Sequence, residues 1–262
     1  MNRNLVKGKL ALITGASSGI GEAAAHKFAE YGVNLLLTAR RLNRLKQTAE
    51  KLTNKYGITA DIRQLDVRDS NAVSLMAQEL DRNRSIPDIL VNNAGLSAGK
   101  DAIYNADVND WDLMIDTNIK GFLYISRAII PLMIKHGSGH IINLGSIAGQ
   151  EVYSGGNVYN ATKFAVRALS QAMNIDLVNT NIRVCNIAPG AVNTEFSSVR
   201  YKGDKEKADA TYDGFMPLSA IDVADTILYV VNTPEHVNIQ HLLIMPTAQR
   251  TVSLINKRQE TL

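Results

Sequence analysis

Tyr159 and Lys163 are the pair whose residue types and spacing most directly suggest chemistry. They stand four apart in Val158-Tyr159-Asn160-Ala161-Thr162-Lys163, so they share one face if the stretch is helical. A phenol with an ordinary pKa of about 10 is a poor base at neutral pH, and a neighbouring ammonium lowers that value by stabilising the phenolate. Such a pair can pass a proton to or from a substrate oxygen while hydride moves at the attached carbon. Alone, the spacing also describes an amphipathic helix with a surface lysine. Ser146 shifts the balance: it follows an apolar run in Leu144-Gly145-Ser146, and its hydroxyl could hold the reacting oxygen. Asn118, in Met114-Ile115-Asp116-Thr117-Asn118, falls inside a helical pattern where asparagine is mildly unfavourable. Two roles are open to it, binding water in a proton relay through Lys163 or making a hydrogen bond at a helix bend.

A second constellation opens the chain. Thr14-Gly15-Ala16-Ser17-Ser18-Gly19-Ile20-Gly21 follows an apolar run and precedes a helical pattern. Glycines there let the backbone turn tightly against a pyrophosphate, and the helix aims its positive end at the anion. Three residues and then one separate the glycines, which departs from the commonest dinucleotide spacing. The next apolar run ends Leu36-Leu37-Thr38-Ala39-Arg40-Arg41, with Ala39 where an acid would receive the ribose hydroxyl of NAD. Two guanidiniums at that point suit a 2′-phosphate instead, so NADP is the expected cofactor. Asp66, followed by Val67, is placed to accept from the adenine amino group. Asn92-Asn93-Ala94-Gly95 supplies small residues beside the adenosine ribose, with Asn92 either there or purely architectural. Pro189-Gly190-Ala191-Val192-Asn193-Thr194 can close over the nicotinamide carboxamide, although Thr194 also suits a local turn cap.

The elements that must position these groups alternate. Apolar runs over 10–14, 33–38, 58–65, 88–91, 140–144, 182–188 and 241–245 read as strands. Helical patterns fill 21–31, 42–56, 70–82, 110–136, 158–178 and 221–231. Strands alternating with helices predict a single α/β domain over residues 1–262, a Rossmann-type doubly wound parallel sheet of about seven strands with helices on both faces. Ligands are then expected at the carboxyl ends of the strands. Residues 189–219 carry little apolar periodicity, and an interval that long is usually functional, so it is expected to form a substrate lid.

Composition excludes several alternatives. A net charge of +3 with no basic stripe and no matching motif gives no reason to expect nucleic acid. No run of about 18 apolar residues exists to span a membrane, and no secretory pattern precedes the first strand. The lone Cys185 suits a reducing compartment, so a cytoplasmic location is expected. No cysteine pair accompanies His26, His136, His140, His236 and His241, so no metal is expected. A serine hydrolase is unsupported, because Leu144 and Ala148 replace the glycines of the nucleophile elbow around Ser146.

In order and spacing together, Thr14-Gly15-x3-Gly19-x-Gly21, Asn92-Asn93-Ala94-Gly95, Asn118, Ser146, Tyr159-x3-Lys163 and Pro189-Gly190 make a chain that resembles the short-chain dehydrogenase/reductase family over essentially its whole length. The resemblance implies that Tyr159 is the acid/base, Lys163 binds ribose and tunes Tyr159, Ser146 orients substrate, and Asn118 supports the relay. Gly155-Gly156-Asn157-Val158-Tyr159, Thr194-Glu195-Phe196-Ser197, residues 199–204, 234–239 and Met245-Pro246-Thr247 are similar to a narrower group, the NADP-dependent dehydrogenases of 3-hydroxy acids. That group oxidises the 3-hydroxyl of small acids such as serine and allo-threonine, and family members typically form homotetramers. A general carbonyl reductase is the alternative enzyme, and a catalytically silent nucleotide sensor the alternative from another class. Tyr159, Lys163 and Ser146 are all intact, which speaks against the sensor. An acid substrate needs a cation to meet its carboxylate. Arg200, Lys202 and Lys205 are at hand, Arg200 being preferred for its forked donors, with backbone donors near Gln150 or Tyr153 the alternative.

Overall fold

The seven apolar runs become seven strands of one parallel sheet in the computed structural model, which describes residues 4–257. They are β1 (Leu10–Thr14), β2 (Asn34–Ala39), β3 (Ala60–Gln64), β4 (Ile89–Asn92), β5 (Gly139–Leu144), β6 (Ile182–Pro189) and, last in the chain, β9 (His241–Ile244). Their spatial order is β3-β2-β1-β4-β5-β6-β9, with Leu12 in register with Leu36 on one side and Leu90 on the other. The central strands β1, β2, β4, β5 and β6 are buried on both faces, which is why their runs are almost continuously apolar, whereas the edge strands β3 and β9 are only partly buried. Ile13, Leu35, Leu37 and Val91 pack with α1 (Gly19–Glu30), α2 (Leu42–Tyr56) and α9 (Ala220–Val231). Leu12, Leu36, Leu90 and Ile141 point the other way, into α3 (Ser70–Arg82) and α5 (Phe122–His136). Successive residues of each strand therefore serve opposite cores. The architecture is the expected doubly wound Rossmann-type fold.

One expectation needs correction, and one interval is more regular than its periodicity shows. The helix expected over 110–136 is three pieces: α4 (Val108–Ile115), a π-helical turn (Asp116–Gly121) and α5. A Cβ on Gly121 would meet Val67 Cγ2 at 2.6 Å, so the widened turn lets the backbone press against the residues following β3. Wide turns of this kind insert a residue while leaving the apolar periodicity on either side intact. The interval 189–219, for its part, is not irregular. It contains β7 (Val192–Asn193), α7 (Phe196–Arg200), α8 (Lys205–Ala210) and β8 (Leu218–Ser219). Because β7 pairs with β8, the excursion returns to the place it left. A capping box between Ser219 and Asp222 then starts α9.

Asn92 is architectural. Its Nδ2 donates to Ser126 Oγ at 3.2 Å and to Asn143 Oδ1 at 3.0 Å, and Asn143 Nδ2 continues to Ser170 Oγ at 2.9 Å. This buried polar thread ties β4 and β5 to α5 and α6 (Asn157–Asp176).

Candidate active site

Strand order reverses between β1 and β4, and such a switch point opens a crevice at the carboxyl ends of the strands. A cleft of about 980 Å³ lies there, running from the Gly15 loop to the segment around Arg200. Gly15, Ser17, Ser18, Gly19, Ile20, Arg40, Arg41, Asp66, Val67, Asn93, Ala94, Gly95, Pro189, Gly190, Val192 and Thr194 all line it. Gly21 does not; it lies beneath the loop, where a Cβ would meet Asn93 Nδ2 at 2.5 Å and Gly15 O at 2.6 Å. Gly15 also needs its freedom, with φ of +66°. Asn93 Nδ2 donates to Thr14 O and Gly15 O, so β4 braces the loop that faces the cleft. The first turn of α1 starts at Gly19 and points its free N–H groups at the same space.

Where a 2′-phosphate was expected, Arg41 Nε donates to Ser17 Oγ at 3.1 Å, one terminal nitrogen donates to Ser18 Oγ, and the other meets Glu195 Oε2 at 2.8 Å. Arg40 lies exposed beside it. Asp66 lines the adenine end, but both its oxygens already accept from Arg68, which holds its carboxyl below the ordinary range. Thr194 meets both readings, lining the cleft while its Oγ1 accepts from Phe196 N at 3.3 Å.

The chemical end assembles on α6. Tyr159 and Lys163 are both buried on its first turns, and Ser146 stands opposite, after β5. Burial pushes the Tyr159 phenol up, while the Arg200 guanidinium and then a hydrogen bond with Ser146 pull it down. Burial lowers Lys163 to about 8, and its Nζ donates to Leu144 O at 2.7 Å. Lys163 Nζ is 6.0 Å from the Tyr159 ring centroid. Ser146 Oγ accepts from Ala148 N at 3.1 Å, which fixes the hydroxyl at the cleft wall. Asn118 sits in the π-helical turn, away from the cleft. Its Oδ1 accepts from Leu96 N at 2.8 Å, and its Nδ2 donates to Leu96 O at 2.7 Å and Thr162 Oγ1 at 3.1 Å. These bonds lock the turn against Thr162, the residue before Lys163.

At the substrate end the candidates separate. Arg200, the last residue of α7, enters the cleft; its Nε donates to Ser97 Oγ at 3.1 Å and Nη2 to Tyr153 Oη at 3.0 Å. Its Cζ lies 5.3 Å from the Tyr159 ring centroid, 5.7 Å from that of Tyr153 and 5.1 Å from that of Phe196. Tyr153 lines the cleft and burial pushes its phenol up to about 12, so it serves as a neutral hydroxyl. Gln150 needs correction: it is not in the cleft wall, because its Nε2 is 2.9 Å from His241 Nε2. The 3₁₀ turn Ile147–Gly149 carries it past Ser146 and toward the sheet edge. Lys202 turns away to pair with Asp110 at 2.9 Å, and Lys205 is exposed outside the cleft.

Sequence reasoning missed Ser97, Glu195, Phe196 and Gln249, all cleft residues or the anchors of one. Gln249 is buried and its Oε1 accepts from Ala191 N at 2.9 Å, so the chain's last described segment clamps the loop after β6. Glu195 and Phe196 stand in a stretch quoted above without a site role, whereas Ser97 and Gln249 carry no local signal because their partners lie 103 and 58 residues away. Among the described residues no group of histidine, cysteine or acidic side chains could hold a metal ion, and no helix is long and apolar enough to cross a membrane.

A dinucleotide-sized cleft with a tyrosine, lysine and serine at one end defines a dehydrogenase. The sequence model of the short chain dehydrogenase family matches residues 9–205, and the chain belongs to that family. It is similar to the NADP-dependent 3-hydroxy acid dehydrogenase of Shigella flexneri, 45% identical over 251 residues that cover 95% of this chain and 100% of that protein. Sulfoacetaldehyde reductase 2 of Chromohalobacter salexigens is 44% identical, across 92% of this chain and 95% of that one. Among solved structures, the closed form of serine dehydrogenase complexed with NADP+ matches with a TM-score of 0.88 and 44% identity, over 95% of this chain and 100% of that one.

Proposed function

We propose that this chain is an NADP-dependent oxidoreductase that moves a hydride between the nicotinamide and the 3-hydroxyl carbon of a small 3-hydroxy acid such as serine or allo-threonine. The relatives named above support the class. The observation that carries the substrate is Arg200, a guanidinium fixed inside the cleft 5.3 Å from the Tyr159 ring, where a substrate carboxylate would otherwise be desolvated and unpaired. Arg41 with Ser17 and Ser18 would hold the 2′-phosphate, the Gly15 loop the pyrophosphate, Lys163 the nicotinamide ribose, and Gly190 with Thr194 the carboxamide. When bound, the nicotinamide supplies the carbon that gives or accepts hydride.

The protein's own share is proton chemistry and placement. Tyr159, raised by burial, rests protonated and so is ready to donate to a carbonyl oxygen in the direction of reduction. In oxidation it must act as the phenolate that receives the hydroxyl proton, and the Arg200 charge favours the phenolate. Ser146 holds the same oxygen, and Arg200 fixes the acid group so that only the 3-hydroxyl reaches Tyr159. The family resemblance supports a homotetramer, and the lone Cys185, a free buried thiol, fits a reducing cytoplasmic setting.

A second reading is favoured by the same residue. Arg200 offers donors to a sulfonate as readily as to a carboxylate, and a sulfoacetaldehyde reductase is among the similar proteins. A panel of 3-hydroxy acids, sulfoacetaldehyde and neutral carbonyls, each followed by NADPH absorbance, tests both. The highest kcat/KM is expected for a 3-hydroxy acid. Equal efficiency for neutral and anionic compounds would sink both anionic readings and leave a general carbonyl reductase.

A further inference from the structure

The carboxylate nearest the phosphate-reading arginines does not come from the end of β2, where Ala39 stands. It comes from the far side of the cleft, 154 residues later, as Glu195 at the head of α7. Its two oxygens are divided: Oε2 receives Arg41 at 2.8 Å, and Oε1 receives Arg44. Arg41 lines the cleft and Arg44 does not. The remaining donors of Arg41 are spread over Ser17 and Ser18, so Glu195 sits on the Nη1 edge left for an incoming anion. Both arginines hold the Glu195 carboxyl below its ordinary range, which keeps it charged at neutral pH.

Granting the NADP reading above, we infer that Glu195 is a cofactor-selectivity residue: its carboxylate occupies the edge of Arg41 that the 2′-phosphate takes, so the phosphorylated cofactor displaces it and the unphosphorylated one does not. A 2′-phosphate carries close to two negative charges at neutral pH and cannot share one guanidinium edge with a carboxylate without repulsion. Displacement leaves Glu195 a resting partner, because Arg44 still holds the other oxygen. Glu195 therefore weakens NADP without excluding it, and it leaves NAD, which brings no phosphate to Arg41, untouched. This narrows a discrimination that the arginines alone would make much wider.

Titration calorimetry of 2′,5′-ADP, 5′-AMP, NADP+ and NAD+ at fixed ionic strength tests this without turnover. All three side chains are about half exposed, so the competing pairs are individually weak, and Glu195→Gln is expected to tighten 2′,5′-ADP and NADP+ by about 3- to 10-fold. Binding of 5′-AMP and NAD+ should change less than about twofold, since neither meets Arg41 through a phosphate. In an Arg41→Gln background, Glu195→Gln should no longer matter. Unchanged or weaker 2′,5′-ADP binding in Glu195→Gln would overturn the inference, showing that Glu195 props Arg41 rather than competing for it. A wild-type protein that binds 2′,5′-ADP no tighter than 5′-AMP would overturn the NADP reading and this inference with it.

Discussion

Replacing Arg200 with methionine separates substrate recognition from catalysis more cleanly than any other change in the cleft. Methionine keeps the apolar stem against Tyr153, Tyr159 and Phe196 while removing the charge and the fork. Two of the five guanidinium N–H groups are taken by Ser97 and Tyr153, which leaves three to donate to a substrate anion. A hydrogen bond to a charged group contributes about 1.5–3 kcal/mol, and 1.4 kcal/mol is tenfold, so kcat/KM for a 3-hydroxy acid should fall about 10- to 100-fold, chiefly through KM. Arg200 is also the strongest influence pulling the Tyr159 phenol down, so its loss raises that group in every reaction. Oxidation of a neutral secondary alcohol should therefore fall by only a few-fold, with its acid limb moved to higher pH, because a phenol that ionises later is a base later. NADPH absorbance at saturating NADP gives both efficiencies across a pH series. An equal fall for acid and neutral substrates would refute the carboxylate contact and leave only the electrostatic role. No change in either would place the contact elsewhere, with backbone donors near Tyr153 the next candidates.

Tyr159→Phe keeps the buried ring but removes the proton carrier, so turnover should fall on the order of 10² or more while NADP+ binding by calorimetry stays nearly intact; turnover within a few-fold of wild type would end the assignment. Neutralising Arg40 and Arg41 together should weaken NADP+ far more than NAD+, and equal losses would show that they do not read phosphate. His140 tests the fold itself: burial, with Arg183 and Lys9 nearby, lowers it from 6.5 to about 3, and neither ring nitrogen has a hydrogen-bond partner among the described residues. A folded-state value below the unfolded one means its stabilising share is complete above pH 6.5 and is lost as pH falls toward 3. His140→Leu should therefore lose about 2–3 kcal/mol less than wild type between pH 7 and 4.5 in urea titrations, and identical pH slopes would contradict the buried, neutral imidazole.

What was legible in the sequence follows from where each residue finds its partner. Gly15, Gly19 and Gly21 shape one loop within one turn, and Tyr159 with Lys163 share one helix face, so their spacing, joined with Ser146, made them legible. The sheet was legible for the same reason, since a strand buried on both faces shows its apolar run locally whatever it pairs with. Asn118 was visible but ambiguous, because its partners Leu96 and Thr162 lie 22 and 44 residues away. Gln150 was misplaced because closeness to Ser146 in sequence says nothing about where the turn Ile147–Gly149 sends the next side chain. Helices of five and six residues, as in α7 and α8, are too short to print a period, so 189–219 showed little apolar periodicity. Arg200 was chosen for its fork, but Ser97, which makes it a site residue rather than a surface charge, stands 103 residues earlier. Chemistry addressed to a ligand common to many proteins leaves a motif, because the ligand fixes the spacing. Chemistry addressed to this chain's own distant residues, such as Glu195 on Arg41 or Gln249 on Ala191, has no fixed spacing to leave and becomes visible only when the sheet brings the two ends of the cleft together.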